Sequence, residues 1–281
     1  MLEDTFTDII AKASFGKGIA LPEAARVTSL SQNRFSSLEH GASPTDHEID
    51  ALANLLELDP FKLSQVARLA WEPHAMATSW DAAFVWKING LIGNYPVNGY
   101  LFVDRETKEA ALFDTGVSPE RIIEKLKKEA IQLVAICITH AHPDHIGGVE
   151  KVQSETGAPI YLHPKELFGQ GRRGITSLRY GMEISVGRFR IQSLATPGHT
   201  PGGTTYLISN DRLAVPAMAF VGDALFAGSI GRAQSAATYA TLLHSVGSQI
   251  LSLSGETILY PGHGPTTTGA QERAHNPFFI G

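Results

Sequence analysis

The chain has a single cysteine, Cys137, among 281 residues. That excludes an intrachain disulfide framework and a zinc ribbon built from thiolates, and it suits a reducing compartment, so the cytoplasm is the expected location. Long apolar runs are missing as well: none reaches the roughly 18 residues that a membrane-spanning helix needs. The stretch from Met1 to Ser14 carries Glu3, Asp4 and Asp8, where a secretory signal requires a basic start and an unbroken apolar core. No membrane partner is expected. Nor is there an excess of positive charge, since 23 Lys and Arg face 28 Asp and Glu for a net charge of -5, which argues against general nucleic-acid affinity. With 43% hydrophobic and 18% charged residues, the composition is that of a folded globular protein. At about 100 to 200 residues per domain, the length suggests one or two units.

Two regions differ in pattern, and the expected division is 1–74 and 75–281, with the boundary near Glu72 to Thr78. The first region reads as five short helices. Ile49, Leu52, Ala53 and Leu56 recur at the spacing of one helix face, and Thr45 with Glu48 makes a capping-box signature. Asp59-Pro60 stops that helix and opens the next, Phe61 to Trp71. Upstream, Leu21 to Val27 and Ser31 to His40 are separated by a tight turn, and Gly41 terminates the second. This stretch resembles the Cro/C1-type helix-turn-helix family, in which Gln32, Asn33, Ser36 and Ser37 would face the bases. Glycine, frequent in that family's turn, is replaced here by Thr28-Ser29. Residues 1–70 hold six Lys and Arg against ten acids, a poor basis for neutralising phosphates. DNA is therefore not the favoured partner, and a helical module for packing or homo-oligomer formation is the simpler reading.

From about residue 78, apolar and β-branched runs alternate with turn signals: Ala83 to Ile88, Tyr100 to Val103, Ala110 to Phe113, Leu133 to Thr139, Pro159 to Leu162, Phe189 to Leu194, Thr204 to Ile208, Met218 to Val221 and Thr257 to Tyr260. Helices are expected at Pro119 to Lys128, Gly148 to Thr156 and Ala237 to Leu251. The pattern implies an α/β domain of packed sheets covered by helices.

Of eleven histidines, three fall within His140-Ala141-His142-Pro143-Asp144-His145. They follow a strand-like run and precede Gly147-Gly148, so they belong to a loop at a strand's end. Strand alternation would let His140 and His142 face one side, with Asp144 and His145 following round a turn. Imidazole and carboxylate donors suit zinc, iron or manganese, and the spacing allows two adjacent metals. Distant residues must complete the shells. His199, Asp223 and His263 each follow an apolar run and sit beside glycine, which permits a sharp turn and a close approach. His40, His47, His74, His163, His244 and His275 receive no role, and Cys137 reads as a small core residue. Arg172-Arg173 could hold a substrate carboxylate, but the solvated-loop reading is preferred.

The His-x-His-x-Asp-His string followed by His199, Asp223 and His263 resembles the metallo-β-lactamase superfamily over roughly residues 78–281, and Asp114-Thr115-Gly116 matches an early structural motif of that family. Gly222-Asp223-Ala224-Leu225-Phe226-Ala227-Gly228 and Pro261-Gly262-His263-Gly264-Pro265-Thr266 are most similar to its glyoxalase II group, the hydroxyacylglutathione hydrolases. The resemblance implies an αββα sandwich. Metal one would be held by His140, His142 and His199, and metal two by Asp144, His145 and His263, with Asp223 bridging. Asp144 and Asp223 are then the candidate catalytic carboxylates, two divalent ions (zinc, with iron or manganese as alternatives) the cofactors, and an acyl thiol such as S-acylglutathione the substrate. A metal-bridging hydroxide would attack the acyl carbon, and a thiolate leaves without prior protonation because a thiol's pKa is near 8.5. Asp114 would orient the site from behind. Full-length glyoxalase II enzymes carry a further C-terminal helical region that grips glutathione, which puts glutathione itself in doubt for a chain ending at Gly281.

Three other readings compete, of which the lactonase is the less favoured enzyme. Persulfide dioxygenases of the same superfamily use one iron, here matching His140, His199 and Asp223, but usually follow Gly-Arg with Thr-Asp where this chain has Gly231-Arg232-Ala233-Gln234. Superfamily lactonases place a tyrosine soon after the bridging aspartate, where Leu225 and Phe226 stand. A transcriptional regulator, with the metal domain as sensor and the helices on DNA, is the reading from another class.

Overall fold

The computed structural model describes residues 1–169, 174–210 and 212–280. Five helices precede the first strand: α1 (Phe6–Lys17), α2 (Leu21–Thr28), α3 (Gln32–Glu39), α4 (Asp46–Leu56) and α5 (Pro60–Ala67). Their ends follow the local chemistry. Thr45 and Glu48 form the expected reciprocal capping box, and Asp59 caps α5 by accepting from Lys62 N at 3.0 Å. Helix α5 stops at Ala67 rather than continuing to Trp71, and the Trp71 ring stacks on His275 at 4.5 Å.

Strands β1 (Ala83–Ile92), β2 (Tyr95–Asp104), β3 (Glu109–Phe113), β4 (Gln132–Cys137), β5 (Ile160–Leu162) and β6 (Ile175–Ser177) form one sheet in that order. Helices α6 (Pro119–Glu129), α7 (Pro143–Ile146) and α8 (Val149–Thr156) lie among them in sequence. The second sheet is made of β7 (Glu183–Val186), β8 (Phe189–Ala195), β9 (Thr204–Ser209), β10 (Met218–Gly222), β13 (Ile258–Pro261) and β14 (Thr267–Thr268). A small hairpin of β11 (Leu225–Phe226) and β12 (Ser229–Ile230) follows β10, and α9 (Ala236–Ser245) and α10 (Gly269–His275) complete the chain. The helix expected over Ala237 to Leu251 changes winding at Val246–Ile250, which forms a π turn.

Side-chain alternation explains the layers. Met218 and Phe220 point into the core between the sheets, while Ala219 and Val221 point to the opposite face, under α9. Leu101, Val103 and Ile136 meet Ile122 and Leu126 of α6 on the outer face of the first sheet. The result is a helix, sheet, sheet, helix sandwich.

The five N-terminal helices join the outer layer of the second sheet. Phe6, Ile9, Ile10 and Leu52 share one buried cluster with Val221, Tyr239, Leu242 and Leu259. At Gly16 an added Cβ would stand 2.2 Å from the Tyr239 ring, so α1 lies directly on α9. Polar contacts extend the interface: Asp59 N donates to Pro277 O at 2.8 Å, and Lys62 Nζ to Arg273 O at 2.8 Å. Among the described residues, no helix is long and apolar enough to cross a membrane.

Candidate metal centre

The site forms where strands stop. Cys137 ends β4, Ala195 ends β8, Gly222 ends β10 and Pro261 ends β13, and the loops after these ends carry His140 to His145, His199, Asp223 and His263. Thr204 N donates to Thr139 O at 3.0 Å and ties the two sheets together at this edge. Strand β4 is shorter than expected because Thr139 N bonds the Asp114 carboxylate at 2.8 Å instead of continuing the ladder. Loop geometry, and not strand alternation, therefore brings His140 and His142 together. His142 is the N-cap of the single-turn helix α7, whose second and third residues are Asp144 and His145.

All seven residues expected from sequence converge. His140, His142, His199 and Asp223 form one set of donors, and Asp144, His145 and His263 another, each with its ligand atoms within 4.8 Å of one another. In the first set His142 Nδ1 lies 3.0 Å from His140 Nε2 and 3.0 Å from His199 Nε2. In the second, His263 Nε2 is 3.3 Å from Asp144 Oδ2. Asp223 stands between them: Oδ1 is 3.3 Å from His145 Nε2, and Oδ2 is 3.5 Å from His263 Nε2 and 3.6 Å from His199 Nε2.

The opposite ring nitrogens are committed elsewhere, which sets the tautomers. His199 Nδ1 donates to Arg232 O at 2.8 Å, His263 Nδ1 to Pro96 O at 2.6 Å, and His145 Nδ1 to Asp114 Oδ2 at 2.7 Å. The donors also fit a cation by what they lack. His145 Nε2 and Asp223 Oδ1 are buried with no hydrogen-bond partner, an unfavourable arrangement unless something between them accepts both lone pairs. Gly262 makes room: a Cβ there would stand 2.3 Å from Asp223 Oδ1 and 2.5 Å from His145 Cε1.

Electrostatics separates the two sets. Burial lowers His140 and His199 and keeps them neutral, the form that binds metal. Burial would also lower His145 and His263, but Asp223 and Asp114 raise the first, and hydrogen bonds to Asp144 and Asp223 lift the second to about 10. Burial alone would raise Asp223, yet His145 and His263 hold it well below the usual carboxylate range. The acids around the second set thus favour positive charge at His145 and His263, a charge that a bound cation between them would supply.

One residue of the site was not legible in the sequence. Glu166 is buried, and its carboxylate accepts from Ala141 N at 3.0 Å and from Gly202 N at 2.8 Å, bracing the loops that carry His140, His142 and His199. A Cβ at Gly202 would stand 2.7 Å from Glu166 Oε1. A lone acid in Pro164-Lys165-Glu166 carries no local signal of that role. The Arg172-Arg173 pair lies outside the described residues.

The comparisons with known proteins agree with this geometry. A "Probable metallo-hydrolase YqgX" from Bacillus subtilis strain 168 is 32% identical over 208 residues, covering 68% of this chain and 95% of that one. A "Hydroxyacylglutathione hydrolase GloC" from Haemophilus influenzae is 30% identical over 192 residues, covering 62% and 88%. Among solved structures, the BLEG-1 B3 metallo-beta-lactamase superposes with a TM-score of 0.58 at 35% identity, over 70% of this chain and all of that chain. The family model for this fold and centre matches residues 92–263, and the chain belongs to the metallo-beta-lactamase superfamily.

Proposed function

We propose that the chain hydrolyses acyl thioesters, S-acylglutathione or a related acyl thiol, at a centre for two divalent metals, with zinc the expected ion. The observation that carries the reading is the placement of Asp223, whose two carboxylate oxygens face histidines of both donor sets at 3.3 to 3.6 Å. His140, His142 and His199 would hold one ion, and Asp144, His145 and His263 the other, with Asp223 shared. When bound, the pair supplies an activated hydroxide at neutral pH and positive charge for the oxyanion that develops on the acyl oxygen.

The chain's own residues favour a thioester. Beside the donors, the residues lining the inner cavity include Thr139, Thr196, Thr200 and Thr204, and none of these side chains is an acid near neutral pH. A leaving group that needs a proton, such as an amide nitrogen, finds no donor among them. A thiolate needs none. The hydroxyacylglutathione hydrolase relative supports the same class at 30% identity.

The test is hydrolysis of S-lactoylglutathione by the metal-loaded chain, with elemental analysis of the same sample. Thioester cleavage with two metals per chain is expected. One iron with persulfide-dependent oxygen uptake would overturn the reading in favour of a dioxygenase.

A further inference from the structure

A segment from the far end of the sequence packs beside the turn that carries His263. Gly264, next to His263, has φ +73°, and a Cβ there would stand 3.0 Å from Glu3 Cβ and 3.3 Å from Glu3 N. The segment Leu2 to Asp4 therefore lies flush on the turn that presents His263. Beside it, Leu2 and Trp71 come within 3.6 and 3.1 Å of the Cβ position of Gly228, in the turn between β11 and β12 that follows Asp223. Lys12 anchors this arrangement. Its ammonium donates to Ile230 O at 2.7 Å, pairs with Asp4, and lies 4.8 Å from the centre of the Phe226 ring. Phe226 in turn meets His263 edge to face at 5.7 Å.

The charges here do not cancel. Asp4 and Lys12, whose side chains are only 10% and 8% exposed, neutralise each other. Lys87 approaches Gly264 from β1 and donates to its carbonyl at 3.1 Å. Glu3 is half-buried, and no hydrogen bond or ion pair to it occurs among the described residues. Burial pushes its carboxyl up, and it feels the attraction of His263 and Lys12 and the repulsion of Asp4 and Asp223. A carboxylate without a partner, carried by a segment that packs beside the turn of His263, sorts ligands by charge.

We propose that Glu3 is a specificity-determining residue of this centre: it favours ligands that carry an ammonium next to the group entering the site, and disfavours those with a carboxylate there. The N-terminal helical unit thereby acts as part of the substrate cleft. The inference rests on the two-metal reading of the site and is independent of the thioester reading.

Calorimetric binding of small thiols to the zinc-loaded full chain tests it without any turnover. Cysteamine, 2-mercaptoethanol and 3-mercaptopropionate present an ammonium, a neutral group and a carboxylate beside the same sulfur. Each thiol is compared with itself across wild type, Glu3→Gln and Glu3→Lys, so differences in thiol acidity cancel. The preference for cysteamine over mercaptopropionate should fall about fivefold in Glu3→Gln, the scale of one charge interaction across a partly aqueous gap, and further in Glu3→Lys. The effect should shrink as salt rises. An unchanged preference in folded variants would overturn the inference. So would loss of zinc from Glu3→Gln, which would make Glu3 a support of the metals. A wild-type chain that takes up no zinc would overturn the site reading and this inference with it.

Discussion

Asp114 Oδ2 holds His145 Nδ1 at 2.7 Å, while the opposite nitrogen of that ring faces Asp223 Oδ1 at 3.3 Å with no hydrogen bond. The same carboxylate accepts from Thr139 N at 2.8 Å and Thr139 Oγ1 at 2.7 Å. Asp114 thus fixes both the tautomer of one donor and the start of the loop that carries His140, and it does so from a backbone φ of +51°.

Replacing Asp114 by Asn separates chemistry from backbone, because asparagine also tolerates that conformation. The amide keeps one acceptor but loses the charge that orients His145. Metal affinity, measured by chelator competition, should weaken roughly 10- to 100-fold. Affinity within twofold of wild type would show that His145 needs no such partner.

Glu166 makes a parallel prediction for the first donor set. Glu166→Gln has one carbonyl oxygen where two backbone N–H groups, of Ala141 and Gly202, need acceptors. Turnover should fall by about tenfold or more, with weaker metal retention. Gly202→Ala should act the same way, since its Cβ would meet Glu166 Oε1 at 2.7 Å. If both variants turned over at the wild-type rate, the brace would have no functional weight.

Legibility of the chain followed the range of the interactions. The metal-centre residues were readable because chemically distinctive side chains sit directly after apolar runs, where strand ends expose them. Thr45 and Glu48 were readable because a capping box is complete within four residues. Glu3 was not, since its neighbour Gly264 lies at the other end of the chain. Strand β7, with only Ile184 and Val186 buried, was too short and half-polar to stand out. The end of α5 escaped because Trp71 leaves the helix to stack on His275, a tertiary contact.

Stability should respond to pH through two carboxyls of opposite sign. Glu48 accepts from Arg34 Nε at 2.6 Å and Nη2 at 2.8 Å, and the Arg34 bond holds its pKa at about 2. The unfolded value is about 4.3, so this contribution is full above that pH and is lost as the pH falls toward 2. Glu272 is pushed up to about 7 by burial, so the proton it keeps stabilises the fold at low pH, and that advantage fades as the pH rises through about 7. Thermal melts should show Glu48→Gln with a flatter acid limb and Glu272→Gln with a flatter limb between about pH 4 and 7. Melting profiles parallel to wild type would contradict both assignments.

Duplex DNA should not bind tightly. Gln32, Asn33 and Ser36 of α3 are exposed, but four of the six cations in residues 1–70 are closely paired with acids: Lys12 with Asp4, Lys17 with Glu57, Arg34 with Glu48 and Arg68 with Asp46. Fluorescence anisotropy of labelled DNA at low salt should show no saturable binding by the full chain. Tight, strongly salt-dependent binding would restore the regulator reading.

Zinc titration of the metal-stripped chain is decisive, because Asp223 faces two donor sets at once. Wild type should take up two ions, and Asp223→Ala should weaken both uptake steps and abolish thioester hydrolysis. A single binding step in wild type, or an Asp223→Ala variant with unchanged stoichiometry and turnover, would contradict that shared role of Asp223.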